Sequence, residues 1–379
     1  MSATTPTTEM SSGAIQDHVI DQDIVVSAEN VPDLFVTDLH RRTTGVSATI
    51  RTLVPYIARK MPLTVVSPRT TDHENPVGLW AALRHCWTAP QRHSFRIWHV
   101  RRNNEMLWGL IFKHVFRCRL SLVMTSCALR RHSWFPRLLL SRMDEIIATS
   151  DAAARYFPSV AAIIPHGVDC ERFGPAESSQ RELMSQLGFP DAKGIAICGR
   201  IRPEKGTDLF VDALIQLLPD HPDFVACIAG RAAAEHQLFQ QNLQKKIADA
   251  GLTDRFIWMG EVQYDQMPNF LAGMSLCVAP ARYEGFGLVP LEAMASGVPV
   301  VASRTGCYPD AILPGQTGEL FDCGDLNGLI SALKPLLSSP NGLLEMASTC
   351  RDRIISQYSA QLEADRIMAV YESMWNRTK

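Results

Sequence analysis

No run of about eighteen consecutive apolar residues occurs anywhere in the 379 residues, so no membrane-spanning helix is expected. The chain also lacks a basic start followed by an apolar block. Its first 33 residues are rich in Ser, Thr and acidic side chains, which argues against a secretory signal and predicts a disordered tail. Ten cysteines are present, but none falls in a CxxC or other metal-type spacing, and several lie inside apolar segments such as AICGR and SLCVAP. They read as buried thiols of a reducing cytoplasm, not as a disulfide framework or a zinc site. No tandem repeat is visible, so a solenoid is not expected. Acidic residues almost vanish between Trp80 and Arg142, where twelve Lys and Arg accompany the single acid Glu105, although the net charge of the whole chain is only −2.

What is present is the composition of an ordinary globular protein, 46% hydrophobic and 20% charged, in a chain long enough for two cores. Strand-like and helix-like segments alternate, which predicts parallel sheets in doubly wound α/β domains. LFVTDLH (Leu34 to His40), LTVVSP, FRIWHV, LSLVMTS, EIIATS and AAIIPHGVD (Ala161 to Asp169) read as strands of a first half. The Gly-, Pro- and Ser-containing stretch Arg172 to Ser179 reads as a linker. GIAICGR, DFVACIAGR, RFIWMGEV, SLCVAPAR and VPVVAS form a second series, and the ending QLEADRIMAVYESMWNR has helical periodicity. The expected division is a tail over 1–33, a first domain over 34–175, a second over 176–356 and a last helix over 357–379.

The most informative stretch is YEGFGLVPLEAMASGVPVVAS, Tyr283 to Ser303. A turn carrying Glu284, Gly285 and Gly287 should lead into a short helix, with Pro290 tolerated in its first turn. Gly297 suits a left-handed helix end, and VPVVA should return as a buried strand. The free N–H groups at such a helix start favour an anion, and glycines let backbone approach it closely. The carboxylates of Glu284 and Glu292 would repel that anion, so they should point at its neutral neighbours, such as hydroxyl groups. A second constellation, GRIRPEKG, places Arg200 and Lys205 at the end of an apolar strand, where ligands collect in open α/β sheets. Arginine grips phosphate oxygens as a fork, and lysine acts as a compact point charge.

Glu284 and Glu292, separated by seven residues, resemble the Glu-x7-Glu signature of the retaining, nucleotide-sugar-dependent glycosyltransferases of family 4, and the resemblance runs from about Leu34 to the C-terminus. It implies the GT-B fold: two Rossmann-like domains facing a cleft, with the C-terminal helix crossing back to the first. It assigns Arg200 and Lys205 to the donor diphosphate, Glu292 to the ribose, and Glu284 to the transferred sugar, with the backbone of Gly285, Phe286, Gly287, Leu288 and Val289 close by. Gly45, in the loop RRTTGVS, would approach from the other domain, and Glu261 and Val262 are candidates for the donor base. Arg200, Lys205 and Glu284 would carry catalysis without a metal. The one Asp-x-Asp, Asp21-Gln22-Asp23, lies in the expected tail and is poorly placed for a Mg-bound diphosphate.

Two departures stand out. Many relatives carry adjacent glycines in the first loop, whereas this chain has only Thr44-Gly45, and Met124 occupies the place of a sugar-facing histidine for which His132 is a candidate substitute. WHVRRNNEM, TSCALRRH and GRIRPEKGTDLFVDA resemble the lipopolysaccharide inner-core mannosyltransferases of alphaproteobacteria. That finer likeness implies transfer of mannose from GDP-mannose to Kdo on the lipid A core. The basic, aromatic run would then be an acceptor and membrane face, with Arg101, Arg102, Arg130, Arg131 and His132 on it, holding a cytoplasmic enzyme against an anionic membrane; nucleic acid is not expected as a partner. Alternatives are a UDP-sugar donor, a GT-B epimerase or a pyridoxal-phosphate-dependent phosphorylase, and a non-catalytic sugar-binding protein.

Overall fold

The structure, a computed structural model, describes residues 32–40, 44–69, 73–90 and 92–377. The expected tail lies outside the described residues except for Pro32 and Asp33, and these two are packed: Asp33 is buried and the Pro32 carbonyl accepts from Arg96 Nε at 3.1 Å.

Among the described residues, twelve strands form two six-stranded sheets. The first contains β1 (Leu34–Thr37), β2 (Leu63–Val66), β3 (Arg96–Val100), β4 (Leu120–Ser126), β5 (Glu145–Ala148) and β6 (Ala162–Ile163), in the order β2-β1-β3-β4-β5-β6. The second contains β7 (Lys193–Cys198), β8 (Phe224–Ala229), β9 (Phe256–Gly260), β10 (Met274–Ala279), β11 (Val300–Ser303) and β12 (Gly318–Phe321), in the order β12-β11-β10-β7-β8-β9. Every ladder is parallel, which is why the strands are nearly continuous apolar runs: helices cover both faces. The strand order reverses between β1 and β3 in one sheet and between β7 and β10 in the other. Loops leaving neighbouring strands diverge at such points and open a crevice.

The α/β, GT-B architecture expected from the sequence is observed. Two details differ from the sequence expectation. The segment Gly318–Phe321 adds a twelfth strand that was not anticipated, because GELF is too short and too polar to read as a buried strand alone. The segment Ala161 to Asp169 contributes only two strand residues before the chain breaks away at Pro165, His166 and Gly167.

That break ties the halves together. Val168 N donates to Tyr358 O at 2.7 Å and Ala360 N donates to Val168 O at 2.8 Å. A side chain at Gly167 would lie 2.5 Å from the Ala360 Cα, so only glycine permits this backbone approach. The helix Ala360–Asn376 then crosses to the first sheet and packs on the helix Gly45–Ala58, burying Ala364, Ile367, Tyr371 and Trp375 against Leu34, Val36, Leu53 and Ile97. Tyr371 OH meets His99 Nδ1 at 2.5 Å on β3, and the Trp375 indole donates to Phe95 O at 3.0 Å, so both polar tips are satisfied inside an apolar contact.

Candidate active site

A pocket of about 510 Å³ lies between the two sheets, at the carboxyl ends of β7 and β10. From the second half it gathers Arg200, Lys205, Glu284, Gly285, Phe286, Gly287, Leu288, Val289 and Glu292; from the first it gathers Thr44, Gly45 and Val46.

Local structure explains how each residue arrives. β7 ends at Cys198, and the chain turns through Gly199 so that Arg200 emerges exposed at the cleft. A short 3-10 turn, Pro203–Lys205, follows and closes at Gly206 with φ 72°. A Cβ at Gly206 would lie 2.0 Å from the Pro280 carbonyl oxygen, so the lysine turn is pressed onto the end of β10. Across the switch point, Glu284 N donates to Thr305 Oγ1 at 3.2 Å and Gly285 N donates to Glu284 Oε1 at 3.1 Å. Gly287 has φ 91°, and a Cβ there would fall 2.4 Å from the Tyr308 ring. The helix Leu288–Ala295 starts at Gly287 with no side-chain cap, leaving its first N–H groups toward the pocket. It ends as expected, with Gly297 at φ 80° before β11.

Lys205 Nζ lies 2.5 Å from Glu284 Oε2, with both side chains partly exposed. Glu292 is half-buried one turn into the helix. Burial raises its carboxyl from the ordinary 4.5 to about 7, against the opposing charges of Arg172 and Arg51. Gly45 opens the helix Gly45–Ala58 behind Thr44, whose hydroxyl accepts from Ser47 N at 3.4 Å. A Cβ at Gly45 would meet nothing within 4 Å, so the loop borders open space.

Glu261 and Val262 are not brought to this pocket. They follow β9 near the sheet edge, and Glu261 makes a loose, largely exposed ion pair with Arg231 at 3.6 Å. The basic run is not a single outward face either. Arg96 is fully buried as a structural cap for the carbonyls of Pro32, Thr88 and Ala89. Arg102 turns inward: its guanidinium donates to Asp38 Oδ1 at 2.8 Å, Glu105 Oε1 at 2.9 Å and Thr44 Oγ1 at 2.8 Å. Asp38 is buried, and burial alone would raise its carboxyl. Hydrogen bonds from His73 and Arg102 and the charges of Arg102 and Arg69 instead hold it well below the usual carboxylate range. Arg101 is also inward, only 7% exposed. Arg130 and Arg131 are exposed as expected, and His132 is half-buried.

The residue missed by sequence reasoning is His166. It lines the pocket beside Cys127 and stacks edge-on against Phe286 with ring centroids 5.0 Å apart. Its Nδ1 lies 2.9 Å from Glu363 Oε1, while Glu363 Oε2 accepts from Gly167 N at 2.7 Å. Burial opposes its charge, but the Glu363 carboxylate and Cys127 raise it to about 9. The available signal was the Pro-His-Gly interruption of a strand pattern; the glutamate partner, 197 residues away, was invisible.

Comparison with known proteins identifies the family. Residues 179–354 match the family model described as glycosyl transferases group 1. Over 343 residues the chain is 37% identical to the lipopolysaccharide core biosynthesis mannosyltransferase LpcC of Rhizobium leguminosarum bv. viciae, covering 90% of this chain and 96% of that one. It is likewise 37% identical over 346 residues to LpsB of Rhizobium meliloti (strain 1021), described in the same words, with 90% and 97% covered. Among solved structures it is similar to Anabaena Alr3699/HepE in complex with UDP, with a TM-score of 0.74 and 19% identity over 90% of this chain and 99% of that one, a likeness of fold. The chain belongs to the group 1 glycosyltransferases and is an enzyme of that retaining, hexose-transferring class.

Proposed function

We propose that this enzyme transfers mannose from GDP-mannose to the Kdo-bearing inner core of a lipopolysaccharide precursor. The observation that carries this reading is the convergence of Arg200, Lys205, the uncapped helix start at Leu288 and the two carboxylates of Glu284 and Glu292 on one pocket between the sheets. Mannose and the lipopolysaccharide core are supported by the names of the two rhizobial relatives, while GDP as the carrier and Kdo as the acceptor sugar follow from the resemblance of the sequence alone.

In this reading the bond between the anomeric carbon and the β-phosphate oxygen breaks while an acceptor oxygen bonds to the same face of that carbon. The acceptor's hydroxyl proton passes to the departing phosphate. Arg200, Lys205 and the N–H groups of Leu288 and Val289 stabilise the charge growing on that phosphate. Glu292 holds the ribose hydroxyls and Glu284 positions the sugar. The domain limits 34–175 and 176–356, with the crossover over 357–379, belong to the same reading.

The acceptor is a lipid, so the enzyme works at the cytoplasmic membrane surface. Among the described residues no helix is long and apolar enough to cross a membrane. Support for docking comes instead from the helix Trp134–Leu140, where Trp134, Phe135 and Leu138 are exposed among Arg130, Arg131 and Arg137.

The test is a panel of nucleotide sugars offered with truncated Kdo-lipid A, with and without EDTA. Transfer from GDP-mannose, undiminished by the chelator, is expected. Preference for a UDP-sugar would replace the donor, and activity abolished by EDTA and restored by Mg²⁺ would replace the metal-free mechanism.

A further inference from the structure

A second pocket, of about 340 Å³, opens beside the first and shares Val46, Cys127, His166 and Gly285 with it. It lies where β3 and β4 end, since Val100 pairs with Met124 in the ladder and Arg101 follows directly. No carboxylate lines it among the described residues, whereas Arg101, Arg130, His132 and His166 do.

Arg101 is the anomaly. It is 7% exposed, yet none of its three guanidinium nitrogens has a hydrogen-bond partner. The nearby acid is already engaged: Glu105 Oε2 accepts from the backbone N–H of Arg101 at 2.8 Å, and Glu105 Oε1 takes the Arg102 side chain at 2.9 Å. His132 on the same pocket also has a buried, unpartnered Nε2. A buried cation without a counter-charge opposes folding, and buried polar atoms in native proteins are almost always paired. Two such groups lining one acid-free cavity form half of a site whose other half is an anion.

We propose that this second pocket is the acceptor's oxyanion subsite, in which Arg101 grips a carboxylate or phosphate ester of the acceptor sugar and so selects acidic acceptors. The inference rests on the glycosyltransferase reading and adds the group by which the acceptor is recognised. The planar fork of a guanidinium fits a carboxylate or phosphate with two parallel hydrogen bonds, and a neutral acceptor would leave the fork unpaired. The wall shared with the donor pocket at His166 and Gly285 places an acceptor held here beside the reacting sugar.

The test separates binding from turnover. Free Kdo, its methyl ester and inorganic phosphate are titrated calorimetrically into the full-length, GDP-loaded protein and into Arg101→Met and Arg101→Lys variants. The wild type should prefer the acid over its ester by roughly ten- to a hundredfold. Arg101→Met should lose that preference, and Arg101→Lys should keep part of it, because the charge survives but the fork does not. Arg101→Met should also melt no lower than the wild type, since the guanidinium makes no hydrogen bond within the protein. Phosphate binding that depends on Arg101, with no acid-over-ester preference, assigns the same subsite to a phosphate ester. An unchanged preference in Arg101→Met, or no binding of any of the three ligands to the wild type, overturns the proposal. Anion binding that depends on Arg101 but is unaccompanied by transfer to Kdo-lipid A would leave the subsite standing and overturn the proposed acceptor reaction.

Discussion

Lys205 Nζ and Glu284 Oε2 lie 2.5 Å apart, so the cation proposed for the diphosphate and the carboxylate proposed for the sugar neutralise each other. Under the proposed function, the pair offsets the repulsion between the Glu284 carboxylate and a donor diphosphate. When the diphosphate binds, the lysine has two anions to bridge.

Lys205→Ala should therefore weaken GDP binding twice over, by losing one charge-assisted hydrogen bond and by baring Glu284. Turnover should fall by roughly ten- to a hundredfold. Adding Glu284→Ala to that variant should restore part of the GDP affinity while lowering turnover further. Calorimetry on the double-mutant cycle reads the coupling, and strict additivity would mean that the ion pair has no role in donor binding.

Glu292 links function to a cost in stability. Its carboxyl is raised from 4.5 to about 7, so below pH 4.5 it is protonated in folded and unfolded chains alike. Between those values the unfolded chain ionises first, and the folded state is progressively disfavoured; above about 7 the whole cost is present. Glu292→Gln should raise the melting temperature at pH 8, leave it nearly unchanged at pH 4.5, and weaken nucleotide binding. A melting-point gain equal at both pH values would separate Glu292 from this titration.

Asp38 behaves oppositely. Its lowered carboxyl contributes stability above its ordinary value of 3.8, lost as pH falls below it. Through Arg102 it also holds Thr44 at the start of the Gly45 loop. Asp38→Asn removes the buried carboxylate that Arg102 and Arg69 both reach and should cost about 3–5 kcal/mol in urea unfolding at pH 7. A loss under about 1 kcal/mol, the value of an exposed pair, would show that the network relaxes.

For membrane docking, Trp134→Ala combined with Arg131→Glu should weaken binding to acidic vesicles severalfold or more. Each arginine near such a surface contributes on the order of 1 kcal/mol. The residual binding should fall steeply toward 1 M salt, where the screening length is about 3 Å. Sedimentation with vesicles reads this, and indifference to both changes would remove the membrane from the proposed function.

Much of this molecule was legible before folding. The Gly285–Gly287 turn, the short helix with Pro290 in its first turn, the Gly297 stop and the return strand follow from local backbone rules acting within about twenty residues. Arg200 and Lys205 were legible for the same reason, since a strand end followed by a Pro- and Gly-bounded turn fixes where the next side chains emerge. The tertiary structure alone decided which cations face inward. Arg101, Arg102, Arg130 and Arg131 look alike in a basic run. Yet Asp38, more than sixty residues from Arg102, draws that side chain into the first domain, while Arg101 is buried without a partner at a pocket wall. It also decided that His166 is pushed toward its charged form, because the carboxylate responsible stands on a helix that returns from the far end of the chain. Backbone conformation is set by near neighbours, whereas the sign and partner of a buried charge depend on which distant residue the packed core brings within about 3 Å.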